Sequence, residues 1–449
     1  MAQVPHSLLV LAPSAYPLGG VATWLSGLLP ALRELGWKVR LGLLAGRHHD
    51  AARYLEAHPD PESIALENPG GSREGRIRAL VRAIRTARPE VVLSVNVADV
   101  EGAVDRVRRT GPHPVRLAVS QHAIHPSYFV HLREHRCVVD GVICTNRLTA
   151  DLATRYAGVV PERVHYAPYG VRSPRPARGE PAPGLLRVAW AGRFEQEQKR
   201  IYDVPDVLRE LDQIGLRSHW TLAGAGPEEG LLRSRLTPWI AEGRVRFAGP
   251  VDQRHMANEV YSRSDVLLIT SAWETGPIVA WEALASGLAI ATSRFLGSGL
   301  EGALHEGLTA AMFPVGDTRG AAEALARPAD EASRSRLAEA GRALVETRYS
   351  LESAHAQWAA ALAAIADGPA LEPNTGELPV WPAGRLERLF GSRVGEALRR
   401  RVGIHNPQSG PGEEWPHAYG RHDAPGFWEL AREVDLGPAE VARGEVAGP

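Results

Sequence analysis

The chain has 449 residues, 44% of them hydrophobic, and its 51 basic and 52 acidic residues leave a formal net charge of −1. That length is a prior for two or three domains with ordinary cores, and the charge balance supplies no global field to recruit nucleic acid. Two cysteines, Cys137 and Cys144, are too few for a disulfide framework and suit a reducing cytoplasm, while the start lacks the features of an export signal and no apolar run approaches the roughly 20 residues of a spanning helix.

In chain order, Leu8 to Ala12, Val39 to Leu44, Val91 to Val95, Val115 to Val119, Val142 to Thr145 and Val164 to Ala167 read as strands, with segments of helical period between them. Such alternation implies a parallel, doubly wound sheet, here over residues 1–171. The turn after the first strand, Pro17-Leu-Gly19-Gly20-Val21, leads into a helix at Ala22. Two glycines let a backbone approach a ligand and present amides to a phosphate; by itself the pair is equally a tight strand-to-helix turn. Gln121-His122 follows the fourth strand. An imidazole at a strand's carboxyl edge can hydrogen-bond a sugar hydroxyl or the charge developing at an anomeric carbon, although most of the 17 histidines must be mundane.

Residues 172–184 are rich in proline and lack periodicity, as a linker does. A second alternation then fills 185–347, with strands near Leu186 to Ala191, His219 to Ala223, Val245 to Phe247, Val266 to Thr270 and Leu288 to Ala291. Two such sheets joined by a hinge predict a cleft. Its second half carries Gly192-Arg193 and, six residues on, Lys199, one of only two lysines in the chain. At the carboxyl edge of a parallel sheet, a forked guanidinium and a point charge can together stabilise a departing diphosphate. The turn Gly224-Ala-Gly226-Pro227 lacks the spacing and the downstream acid of a dinucleotide fingerprint, so a nicotinamide cofactor is rejected. Glu274 and Glu282 stand eight positions apart, the first at a helix mouth and the second two turns inside. Such carboxylates can hold the hydroxyls of a sugar and a ribose while the helix N-terminus faces phosphate, which outlines a nucleotide-sugar pocket.

A helix after Tyr349-Ser350, over 348–367, is expected to close the second domain. Beyond it, 368–449 is a Pro-rich extension with one amphipathic segment, 385–402, whose Leu386, Leu389, Phe390, Val394, Ala397 and Leu398 share a face and whose arginines lie elsewhere. It reads as a helix packed on the body of the protein or, second, as a weak contact with an anionic membrane, Glu387 and Glu396 diluting its charge.

These residues resemble the family-4 retaining glycosyltransferases of GT-B fold from about Leu8 to about Ile365, in the order Gly192-Arg193, Lys199, Gly224-x-Gly226-Pro227, Phe247-x-Gly249 and Glu274-x7-Glu282, with looser likeness at Gly19-Gly20, His122 and the Arg163 to Val171 exit. The resemblance implies an α/β fold of two Rossmann-like domains, the first on the acceptor side and the second binding the nucleotide sugar. It implies that Glu282 binds the ribose, Glu274 the transferred sugar, Arg193 and Lys199 the diphosphate, Gly20 a nearby phosphate oxygen, the amides at Pro277, Ile278 and Val279 the sugar and phosphate, and His122 the sugar near the reacting carbon. Thr275-Gly276 departs from the family's Gly-Phe, which touches sugar identity, and Ser293 to Glu301 matches only a Gly-rich turn and stays unassigned.

No Asp-x-Asp occurs, so the cations take over the charge neutralisation that a chelated metal performs in the other main glycosyltransferase fold. The expectation is therefore metal-independent, retaining transfer from a nucleotide-diphosphate sugar to a glycan, lipid-linked or small-molecule acceptor in bacterial glycan biosynthesis, with no cofactor. The setting expected is the cytoplasm or the inner membrane face. The rival readings are a sugar-nucleotide epimerase of the same architecture and a non-catalytic binding protein.

Overall fold

The computed structural model describes residues 6–14, 20–45, 50–68, 73–111, 114–174, 184–376 and 424–436, with scattered positions between 378 and 402. The chain forms two compact units. One comprises Met1–Thr145, Thr149–Ala167 and His355–Phe427; the other comprises Asn146–Leu148, Pro168–Ala354 and Trp428–Pro449.

Among the described residues the first unit holds seven strands, β1 (Ser7–Ala12), β2 (Lys38–Ala45), β3 (Ser63–Glu67), β4 (Val91–Ser94), β5 (Arg116–Gln121), β6 (Gly141–Cys144) and β7 (Val164–Tyr166). They are all parallel, in the order β3-β2-β1-β4-β5-β6-β7. Leu8 to Leu11, Val91 to Leu93, Val142 and Ile143 are buried, as they must be in a parallel sheet covered on both faces, which is why these strands read as unbroken apolar runs.

The second unit contains β8 (Leu186–Ala191), β9 (Ser218–Ala223), β10 (Val245–Gly249), β11 (Val266–Ile269), β12 (Ala289–Ser293) and β13 (Ala311–Phe313), again parallel, in the order β10-β9-β8-β11-β12-β13. Its two cores divide by the period of two along each strand. Val188, Trp190, Val266, Leu268, Ala289 and Ala291 face one cluster, which includes Val204 to Leu211. Ala189, Leu267, Ile269 and Ile290 face the other, where Trp281 and Leu284 pack. This is the expected α/β architecture, with two Rossmann-like parallel-sheet domains.

Three expectations change. The sequence did not indicate β3 or β13, both edge strands, of which β13 is only three residues long. The first helix starts at Gly20 rather than Ala22. The helix Leu351–Asp367, expected to close the second domain, belongs to the first unit from His355 onward. Its apolar stripe explains the difference: Trp358 is fully buried with its ring centroid 4.6 Å from that of Trp24, and Ile365 packs into the space left by the missing side chain of Gly141. Of the linker, 175–183 lies outside the described residues.

Candidate functional site

In the second unit the strand order reverses between β8 and β11, and the carboxyl ends of parallel strands flanking such a reversal are where ligands bind in open sheets. The loop leaving β8 is Gly192 to Lys199, and the loop leaving β11 is Thr270 to Pro277. Two of the motifs singled out by sequence are therefore adjacent loops at one switch point.

These loops are tied together. Thr270 donates its hydroxyl to the Lys199 carbonyl at 2.7 Å and accepts from the Trp190 indole at 3.1 Å, and the Ala272 amide donates to the Gln198 carbonyl at 2.7 Å. On this frame the Lys199 ammonium meets the Glu274 carboxylate at 2.5 Å. Glu274, 6% exposed, also accepts from the Ser271 hydroxyl at 2.6 Å and from the Gln198 amide at 3.4 Å. A buried carboxylate persists as an ion only with such compensation, so the pair is pre-set within one loop cluster. Ser271 and Gln198 were not foreseen, although each sits within three positions of an assigned residue.

Glu282 lies on the helix Ile278–Ala285, 9% exposed, with Gln253 donating to it at 2.5 Å and Tyr261 at 2.9 Å. Burial raises its carboxyl to about 7 against the pull of those two donors. Nothing in the sequence marks Gln253 or Tyr261 as its partners, because they approach from 29 and 21 positions away. Pro277 is the N-cap of this helix. Having no N–H, it cannot donate to a ligand as expected; Ile278 and Val279 can, since first-turn amides have no acceptor within a helix.

The glycines line up across neighbouring strand ends. The Gly192 amide donates to Ala223 at 3.0 Å and the Gly224 amide to Gly249 at 2.7 Å. At Gly226 a side chain would collide with the Phe194 backbone, so this glycine lets two loops touch. Arg193 is exposed, with no side-chain partner among the described residues. The expected pairing of two cations is thus uneven, Lys199 being engaged with Glu274 and Arg193 standing open.

In the first unit Gly20 opens its helix, and Gly19 lies outside the described residues. His122 is buried, with its ring nitrogen 2.8 Å from the Ser120 hydroxyl, its centroid 4.8 Å from that of Trp24, and its plane stacked on Trp358. Burial holds the imidazole down at about 3, so it is neutral across the physiological range. Of the segment 385–402, the described apolar residues Leu389, Phe390, Val394, Leu398 and Val402 are exposed. That corrects the expectation that this face packs on the body of the protein. Among the described residues no helix is long and apolar enough to cross a membrane.

Residues 186–330 match the family described as Glycosyl transferases group 1. No curated protein matches the sequence. Among solved structures the chain is similar to HepE of Anabaena in complex with UDP and glucose, at 18% identity and TM-score 0.65 over 80% of this chain and 99% of that one. It is similar also to the pneumococcal O-GlcNAc transferase GtfA in complex with UDP and GlcNAc, at 12% identity and TM-score 0.66 over 82% and 100%. A third is the sucrose-phosphate synthase of Thermosynechococcus elongatus, at 19% identity and TM-score 0.63 over 80% and 98%. At such identities the likeness is one of fold, and that fold is GT-B.

Proposed function

We propose that the protein moves a sugar from a nucleotide-diphosphate donor to an acceptor hydroxyl, with retention and without a metal ion; the match of residues 186–330 to the family described as Glycosyl transferases group 1 supports this reading. The observation that carries this reading is the Lys199–Glu274 pair, fixed at the β8/β11 switch point, with Glu282 just past the first turn of the helix Ile278–Ala285 that follows. Each group has a task that the chemistry requires. Glu282 takes the ribose hydroxyls, and Glu274 takes hydroxyls of the transferred sugar. Arg193, open to solvent, and Lys199, already positioned, absorb the charge of the leaving diphosphate. The Ile278 and Val279 amides face its oxygens at the helix start.

The reaction breaks the bond between the anomeric carbon and the phosphate oxygen and forms one between that carbon and the acceptor oxygen. The acceptor proton passes to a departing phosphate oxygen on the same face, which leaves the glycoside and a nucleoside diphosphate. The resemblance assigns the acceptor to the first unit, where Gly20 supplies a helix-start amide and His122 a neutral ring able to hydrogen-bond. HepE and GtfA are described with UDP bound, which makes uridine diphosphate sugars the first donors to test. Glycans, lipid-linked or small acceptors follow, in bacterial glycan assembly at the cytoplasmic membrane face. Exposed Leu389, Phe390 and Val402, in a segment whose sequence also carries several arginines, support a weak contact with anionic lipid there.

A thermal-shift panel of nucleotide sugars tests the donor, since a ligand bound only by the folded state raises its stability in proportion to affinity. One sugar nucleotide should stabilise the protein and then be consumed only with an acceptor present. Epimerisation of the donor without acceptor would move the assignment to an epimerase, and the absence of any stabilising donor would remove the enzymatic reading.

A further inference from the structure

The Gly-rich turn after β12 and the far end of the chain carry no role in the reading above, yet in the second unit they are each other's partners. Asp435, on the helix Phe427–Leu436, accepts backbone N–H bonds from Gly297 at 2.7 Å, Gly299 at 3.3 Å and Leu300 at 2.8 Å. A side chain at Gly299 would collide with the Asp435 carbonyl, so the glycine is what allows the helix to come this close.

Nothing about the helix itself calls for an acid at this position. Asp435 occupies the last turn, where a negative charge opposes the helix dipole, and it is 6% exposed, where desolvation penalises the charge again. Burial indeed pushes its carboxyl up, against the pull of the three amides. The residue makes sense as the anion that fills a nest of backbone donors.

That nest is one step from the site. The Leu296 carbonyl accepts the Glu274 amide at 3.0 Å, and the Leu296 amide donates to Ala272 at 2.9 Å, so the Glu274 loop is laid alongside the segment that enters the Gly297 turn. A second contact lies nearby: Trp428 of the same helix packs on Trp273, centroids 5.5 Å apart, and Trp273 is bonded directly to Glu274.

We propose that Asp435 is a positioning residue for Glu274, acting through the Gly297–Leu300 turn and the Leu296 carbonyl, so that the C-terminal helix is part of the sugar-binding machinery. This rests on the assignment of Glu274 to the transferred sugar. A misplacement of about 1 Å at a reacting centre costs on the order of a hundredfold in rate, which gives a remote carboxylate a measurable effect.

The test uses the full chain with Asp435→Ala and Asp435→Asn. In Asp435→Ala, hydrogen exchange at the amides of Gly297, Gly299, Leu300 and Glu274 should accelerate about tenfold or more as their protection is lost. The kcat for sugar transfer should fall about tenfold or more while UDP affinity, which depends on Glu282 and Arg193, stays within about twofold. Asp435→Asn, which keeps one carbonyl oxygen as acceptor, should recover much of both. Unchanged exchange at Glu274 in Asp435→Ala would overturn the proposal, as would a parallel loss of kcat, UDP affinity and melting temperature that Asp435→Asn does not rescue. Absence of transfer by the unsubstituted chain with every sugar nucleotide would instead overturn the assigned reaction, and the exchange measurement would still decide what Asp435 holds.

Discussion

The two sheets follow the same plan, and their binding edges differ in chemistry. In each, the first strand lies between the second and a later one, so each has a reversal of strand order. In the second unit the loops at that reversal carry a buried ion pair, Lys199 with Glu274, and an open guanidinium, Arg193. In the first unit the histidine at a neighbouring strand end is neutral and packed between tryptophans. A shared topology thus provides a place for a ligand but not the groups that act on it; the second unit's reversal carries the Lys199–Glu274 pair and the open Arg193, whereas past β4 in the first unit Asp99 is held by Arg73 and Arg76 and Glu101 meets His131.

The contrast breaks most readily at Lys199. Replacing it with Ala removes a cation from the leaving diphosphate, a loss in the class of roughly 10²–10³ in turnover for one preorganised donor. Ser271 and Gln198 remain on Glu274, so the melting temperature should move by only a few degrees. Steady-state transfer and thermal unfolding measured on the same variant check both halves, and near-normal turnover would remove the lysine from the mechanism.

Glu282 sharpens the comparison through pH. Its folded value of about 7 exceeds the ordinary 4.5, so the folded chain holds a proton there that the unfolded chain has already released. Its contribution to stability is therefore fully present below pH 4.5 and is lost as pH rises through about 7. Donor binding runs the other way, because an ionised carboxylate accepts ribose hydroxyls best. Affinity for the sugar nucleotide should rise by up to about tenfold per pH unit on approaching 7 from below and then level off. Calorimetry with the intact sugar nucleotide, whose phosphodiesters do not titrate in this window, reads the slope. In Glu282→Gln the slope should vanish, and a slope that survives would assign the titration to another group.

Much of this site was legible because local sequence reports local geometry. Buried parallel strands show as apolar runs, and Gly192 to Lys199 and Glu274 to Glu282 each lie within one strand-loop-helix unit, so their residue types and spacing carry the pattern. Partnerships across the fold were not legible. Gln253 and Tyr261 reach Glu282 from other elements, and Asp435 reaches Gly297 across 138 positions. The joint grip of Arg193 and Lys199 could be imagined from their spacing, but that Lys199 spends its charge on Glu274 depends on how β8 and β11 adjoin, which no single window contains. The helix from Leu351 was assigned to the wrong unit for the same reason: its apolar stripe announces burial without saying against which core.

The smallest effect belongs to His122, and it tests the neutral histidine of the comparison. Burial depresses the imidazole to about 3, whereas an unfolded histidine titrates near 6.5. The folded chain therefore binds fewer protons between these values. The stability His122 contributes is present above about pH 6.5 and declines as pH falls, by at most about 1.4 kcal/mol per pH unit. Its side-chain NMR signals should stay constant from pH 8 down to 5, and no step in a pH–rate profile over that range should disappear in His122→Asn. A titrating signal near 6.5 would mean that the ring is open to solvent and able to carry charge, and the contrast between a neutral His122 and the charged Lys199–Glu274 pair would have to be redrawn.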